Sequence, residues 1–203
     1  MDKNRDRLLL VFIKNLEPGK VKTRLAKTLG NRKALDIYKK LLEHTCKVAA
    51  EAECDRQLWY AWYLPEENIC NKEQDDFASF VQKGNGLGER MGFAFKKAFE
   101  DQYKRVVIIG SDCAQLQAKH IHAAFDVLEN KDAVIGPADD GGYYLLGMNT
   151  YIPQIFKNIN WSTATVLQET KEKLKKLEYE FRQLEALNDV DTEEDLNNMA
   201  DRL

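Results

Sequence analysis

The sequence predicts an α/β protein with a mainly parallel central sheet and flanking helices. Three observations carry that prediction. Short apolar runs, LLLVF at 8–12, RVVIIG at 105–110 and DAVIG at 132–136, have the length and composition of buried strands. Longer stretches with helical spacing lie between them. Charged residues stand just past the runs, where parallel strands of open α/β sheets hold their ligands. The 203 residues, 44% of them hydrophobic, suit one domain spanning 1–203 with a sizeable core.

Taken in order, the first strand (8–12) is followed by PGKVKTRL at 18–25. Pro18 and Gly19 break the strand, and Lys20, Lys22 and Arg24 crowd cations into one turn. Leu35, Tyr38, Leu41, Leu42, Thr45 and Val48 give 31–52 a helical period. QLWYAWYL at 57–64, ending at Pro65, reads as a strand, 66–76 as loop, and 77–82 as a short strand. Gly84, Gly86 and Gly88 make a turn into a helix at 87–103. After the strand at 105–110 come a helix at 119–129 and a strand at 132–136. The segment 143–148 either pairs with that strand or crosses below it. An amphipathic helix at 162–177 is capped by Ser162 or Thr163, with Glu169 and Lys173 as an i,i+4 pair. A late strand (179–184) precedes a last helix (192–203), where Thr192 and Asp195 take the capping-box positions.

Composition excludes several classes of function. A net charge of −3 supplies no general field for nucleic acid or an anionic membrane, so any anion site is local. No apolar stretch reaches the ~20 residues of a spanning helix, and MDKNRDR followed by a short apolar run is not a signal peptide. Cys46, Cys54, Cys70 and Cys113 form no CxxC pair, so reduced thiols in a cytoplasmic protein are expected. His44, His120 and His122 fall on predicted helices, away from strand ends, which favours surface or core roles.

The chemistry lies in the charged groups. Asp112 follows RVVIIG, Asp139 and Asp140 follow DAVIG, and Asp189 and Asp191 sit in DVDT before the last helix. In a parallel sheet these carboxylates gather on the edge that also carries the basic loop. Cations there suit a phosphate or diphosphate; a solvated basic loop is the plain alternative. Carboxylates opposite them suit Mg²⁺, although Asp112 and Asp191 also fit simple helix caps. QKGNGLGER has neither the GxGxxG nor the Walker spacing, so its glycines fit a structural turn as well as a ligand loop. Gly141 and Gly142 bring backbone close to a ligand or into a tight turn. Trp161 walls a pocket or packs in the core.

PGKVKTRLA, GLGERM, IIGSDC, IGPADDGGYYLLGM, INWST and DVDTEEDL span nearly the whole chain. With these motifs in this order, the chain resembles the DUF2064 family of glycosyltransferase-A-fold proteins. That family is often labelled a glycosyltransferase, including one of arsenosugar biosynthesis. It is related to 2-phospholactate and molybdenum cofactor guanylyltransferases. The resemblance implies a Rossmann-like nucleotide-diphospho-sugar transferase fold. It makes Pro18, Gly19, Lys22, Arg24, Gly86 and Gly88 the candidate nucleotide-phosphate positions. Asp112, Asp189 and Asp191 match metal-binding aspartates. Asp140, Gly141, Gly142 and Tyr143 match a loop bordering the acceptor or sugar pocket, with Trp161 nearby. One position departs from the pattern: Ala114 stands where the family has Pro, which frees φ at that turn but removes no ligand.

The resulting expectation is a cytoplasmic, Mg²⁺- or Mn²⁺-dependent glycosyltransferase using a nucleotide sugar and a small-molecule acceptor. Asp140 is the candidate general base or acceptor orienter. Two other readings stay open. One is nucleotidyl transfer, with pyrophosphate leaving a nucleoside triphosphate; the other is nucleotide binding without turnover.

Overall fold

A computed structural model describes residues 6–67, 69–70 and 77–198. Strand β1 (Arg7–Ile13) is buried from Leu8 onward, as its unbroken apolar run requires. It pairs in parallel with β2 (Asp55–Tyr60) on one side and β4 (Arg105–Ile109) on the other. β3 (Ala78–Val81) extends the sheet in parallel beyond β2. On the far side β6 (Tyr143–Met148) lies between β4 and β5 (Ala133–Pro137) and runs antiparallel to both. This resolves its two expected placements in favour of pairing. β7 (Phe181–Gln183) closes the edge in parallel with β5, giving the order β3-β2-β1-β4-β6-β5-β7.

Helices cover both faces. Side chains alternate across β1 and β4, so Leu9, Val11, Val107 and Ile109 meet α2 (Asn31–Ala50) and α4 (Ala118–Val127). Leu8, Leu10, Val106 and Ile108 meet α3 (Leu87–Glu100), the 3₁₀ turn Pro153–Phe156 and α5 (Val166–Lys176). Short α6 (Glu193–Asn198) carries the expected cap: Asp195 N–H donates to Thr192 Oγ1 at 3.2 Å, and Thr192 N–H returns a bond to Asp195 Oδ2 at 2.7 Å. The last five residues of the predicted final helix, 199–203, lie outside the described residues, as do 68 and 71–76 of the predicted loop.

Four expectations need correction. The basic loop turns into a seven-residue helix, α1 (Thr23–Leu29), by Arg24. A single buried residue, Leu25, gives so short a helix no readable period. The second strand stops at Tyr60, because Asn15 captures the next residues: its Oδ1 accepts from Trp62 N–H (3.1 Å) and its Nδ2 donates to Tyr63 carbonyl (2.8 Å). Neither Ser162 nor Thr163 caps α5. Ser162 takes φ 63°, and Thr163 Oγ1 donates to the Asn160 carbonyl at 2.7 Å. Glu169 bonds Asn160 and Thr165, while Lys173 Nζ donates to the Lys157 carbonyl. Finally, Cys46 on α2 and Cys70 are joined in a disulfide; Cys54 and Cys113 remain thiols.

Candidate active site

Three strand ends bring the charged groups together at the carboxyl edge of the sheet. Tyr38, buried on α2, ties β1 to β4 there. Its hydroxyl accepts from Lys14 N–H at 2.8 Å and lies 3.0 Å from Ser111 Oγ. Burial, helped by the charge of Asp112, raises the pKa of its phenol. Asp112 follows Ser111. The chain beyond β7 is threaded back to the same place: Leu184 N–H bonds the Ile135 carbonyl, Leu187 N–H the Pro137 carbonyl, and Val190 N–H the Asp112 carbonyl at 2.9 Å. Residues 189–191 therefore lie against Asp112, although about 77 positions of sequence separate them.

Lys22 stands between these carboxylates. Its Nζ is 2.6 Å from Asp112 Oδ1 and 3.2 Å from Asp191 Oδ1, and its side chain is 2% exposed. Its backbone is left-handed (φ 45°), a conformation that costs a lysine about 1–2 kcal/mol. Burial alone would lower the Lys22 pKa, but Asp112 and Asp191 outweigh it and hold the ammonium charged. Burial likewise pushes the Asp112 carboxyl up, and the Lys22 charge overrides it to leave Asp112 below the ordinary carboxylate range. Asp189 has no hydrogen bond or ion pair among the described residues. Burial, and then the negative charge of Asp112, push its carboxyl up to about 7. Arg24 is exposed and reaches Asp191 Oδ2 at 3.4 Å, a surface contact of small energetic weight.

Two hollows open on this cluster and share Leu87, Asp112, Tyr143, Ser162 and Asp189 as lining. One, of about 410 Å³, runs over the ends of β1, β2 and β3, past Trp62, Gln82 and Arg90. The other, of about 460 Å³, is bounded by Arg24, Asp140, Gly142, Trp161 and Asp191. Asp140 Oδ1 accepts the Gly142 N–H at 2.8 Å, which closes the β5–β6 turn. Gly141 (φ +87°) passes so close to residue 164 that a Cβ would stand 2.1 Å from the Ala164 carbonyl oxygen. Gly88 makes room for Trp161, whose Nε1 would meet a Cβ there at 2.2 Å. Pro18, Gly19 and Gly86 are exposed and line neither hollow. Trp62, Gln82 and Arg90 were not singled out from the sequence. Trp62 and Gln82 fall inside the runs 57–64 and 77–82 read as strands from the sequence, which hid that each lies just past a strand end.

The donor chemistry of the three aspartates fits a hard divalent cation. Among the described residues no three carboxylate, imidazole or thiolate groups converge as a metal site, and Lys22 Nζ lies 2.6 Å from Asp112 and 3.2 Å from Asp191. Two of the three histidines make structural contacts: His44 Nε2 lies 2.8 Å from the Leu116 carbonyl, and His120 accepts the Gln117 N–H at Nδ1 while its Nε2 pairs with Glu185.

Comparison with known proteins agrees with this architecture. The family model described as "Uncharacterized protein conserved in bacteria (DUF2064)" matches residues 42–163, over half the chain. The crystal structure of a candidate nucleotide-diphospho-sugar transferase from Desulfovibrio desulfuricans G20 is 39% identical, with TM-score 0.88 over 95% of this chain and 85% of that one. Two more distant structures share the fold. CMP:2-keto-3-deoxy-manno-octonic acid synthetase complexed with CTP is 10% identical, with TM-score 0.60 over 98% of this chain and 100% of its own. Rv0371C of Mycobacterium tuberculosis H37Rv in complex with manganese is 13% identical, with TM-score 0.59 over 98% and 100%. No curated protein sequence matches the chain. The fold is that of nucleotide-diphospho-sugar transferases and cytidylyltransferases, and the chain belongs to the DUF2064 family.

Proposed function

We propose that this protein is a metal-dependent transferase acting on a nucleotide-activated donor, with glycosyl transfer from a nucleotide sugar as its reaction. The observation that carries this reading is the ion pair between buried Lys22 and part-buried Asp112, whose carboxylate lines both hollows. One hollow has room for a nucleoside and the other for the group transferred and its acceptor. Lys22 and Arg24 would bind the diphosphate and hold it as charge develops on the leaving group; a single preorganised donor of this kind contributes on the order of 3 kcal/mol. Asp112, with Asp189 or Asp191, would hold Mg²⁺ or Mn²⁺, which neutralises diphosphate oxygens when bound. A fold neighbour solved with manganese supports a divalent metal in this fold. Asp140, beside Gly142 in the second hollow, would orient the small-molecule acceptor or take its proton.

Nucleotidyl transfer is the second reading, favoured by the CTP complex of a neighbour with this fold. The two differ in leaving group. Incubation with nucleotide sugars and Mg²⁺ should release nucleoside diphosphate, and incubation with nucleoside triphosphates should release no pyrophosphate. The opposite pattern would establish nucleotidyl transfer. Metal-dependent binding with neither product would leave a binding protein without turnover.

A further inference from the structure

The Lys22 ammonium stands between the same two oxygens, Asp112 Oδ1 and Asp191 Oδ1, that would hold a divalent cation. An ammonium and a dication on this oxygen pair would set like charges side by side, with Lys22 buried and Asp112 and Asp191 only partly exposed to water. Both cannot occupy it at full strength. We infer that Lys22 is a built-in counter-ion that blocks the metal site until an anionic ligand draws its ammonium away, so that the protein takes nucleotide before, or together with, metal. This rests on the reading of the site given above.

Three observations support it. Asp112, Asp189 and Asp191 line one hollow and Lys22 pairs with two of them, while no three-ligand group is formed among the described residues. Asp189 opens on both hollows without a partner, so a ligand is held in reserve. The backbone of Lys22 is left-handed, an uncommon conformation for a lysine, and its ammonium is held by two ion pairs. A diphosphate offers the ammonium new oxygens and frees Asp112 and Asp191. Linkage then requires that metal and nucleotide each raise the affinity for the other by the same factor.

The test is a Mn²⁺ titration without nucleotide, read from the electron paramagnetic resonance of the free ion. Lys22→Met keeps a long unbranched stem and loses the charge. It should bind Mn²⁺ at least tenfold more tightly than the unmodified protein, and Lys22→Arg should bind as weakly as the unmodified protein. Equal Mn²⁺ affinity of Lys22→Met and the unmodified protein would overturn the inference. If circular dichroism shows Lys22→Met to be unfolded, the unmodified protein decides. Mg²⁺ alone should leave its Tm unchanged and should raise it when GDP or UDP is present; a rise with Mg²⁺ alone would overturn the inference. Failure of every nucleoside diphosphate to bind would count against the proposed function, whereas the Mn²⁺ comparison judges Lys22 by itself.

Discussion

Asp189 lies in the floor of both hollows with its carboxyl raised to about 7, chiefly by burial and then by the charge of Asp112. A raised carboxyl in the folded state binds its proton more tightly than the unfolded chain does. Its contribution to stability is therefore complete at low pH and is lost as pH rises from about 4 to 7. Asp189→Asn escapes that loss. Urea unfolding across this range should find the variant more stable than the unmodified protein by an amount that grows from pH 4 to 7. It should level off above pH 7, on the order of 2–4 kcal/mol. At the same time nucleotide binding in Mg²⁺ should weaken. The identity of these residues was legible in the sequence, because Asp112, Asp189 and Asp191 each follow a strand or precede a helix. What could not be read was their coupling. The left-handed turn at Lys22 and the Val190-to-Asp112 hydrogen bond depend on contacts between distant segments, and local residue patterns carry no trace of them.

Among the elements, the β5–β6 turn and the loop before α5 are locked together by glycine. Leu167 N–H donates to the Gly141 carbonyl at 2.9 Å, and a methyl at Gly141 would strike backbone. Gly30, between α1 and α2, has a similar positive φ of 80° with nothing within 4 Å of its missing Cβ. The two separate strain from crowding. Gly30→Ala should cost roughly 1–3 kcal/mol from backbone strain alone, because φ 80° with ψ 158° lies in a region that is essentially glycine's. Gly141→Ala should cost about 3 kcal/mol or more in chemical denaturation, since backbone must move as well. Turnover should fall only in Gly141→Ala, which disturbs Asp140 and the second hollow. The doubled glycine after two aspartates was read as backbone near a ligand or in a tight turn; the turn is there, and Gly141 passes close to the Ala164 backbone. Strands β1, β4 and β5 were equally visible because their apolar runs are continuous. The end of β2 was not, because QLWYAWYL stays aromatic past Tyr60 while Asn15 alone redirects the chain.

Across the whole molecule, the sheet order places the Lys22 loop beyond β1 and Asp112 beyond β4, its neighbour, so the charged cluster sits where the connections diverge. The disulfide, none of whose residues lines either hollow, closes a loop of 24 residues' separation between α2 and the β2–β3 connection. Chain-entropy reasoning gives such a link roughly 3 kcal/mol. Dithiothreitol, or Cys46→Ser, should lower the unfolding free energy by about that amount and leave nucleotide affinity within about twofold. The central claim concerns the cluster. Its most direct test is an anomalous difference map from crystals holding Mn²⁺ and the nucleoside diphosphate that raises Tm most. The account predicts one manganese peak bonded to Asp112 and to Asp189 or Asp191, with diphosphate oxygens at Lys22 and Arg24. A nucleotide seated elsewhere on the molecule, or a manganese ion bonded to none of these aspartates, would contradict it.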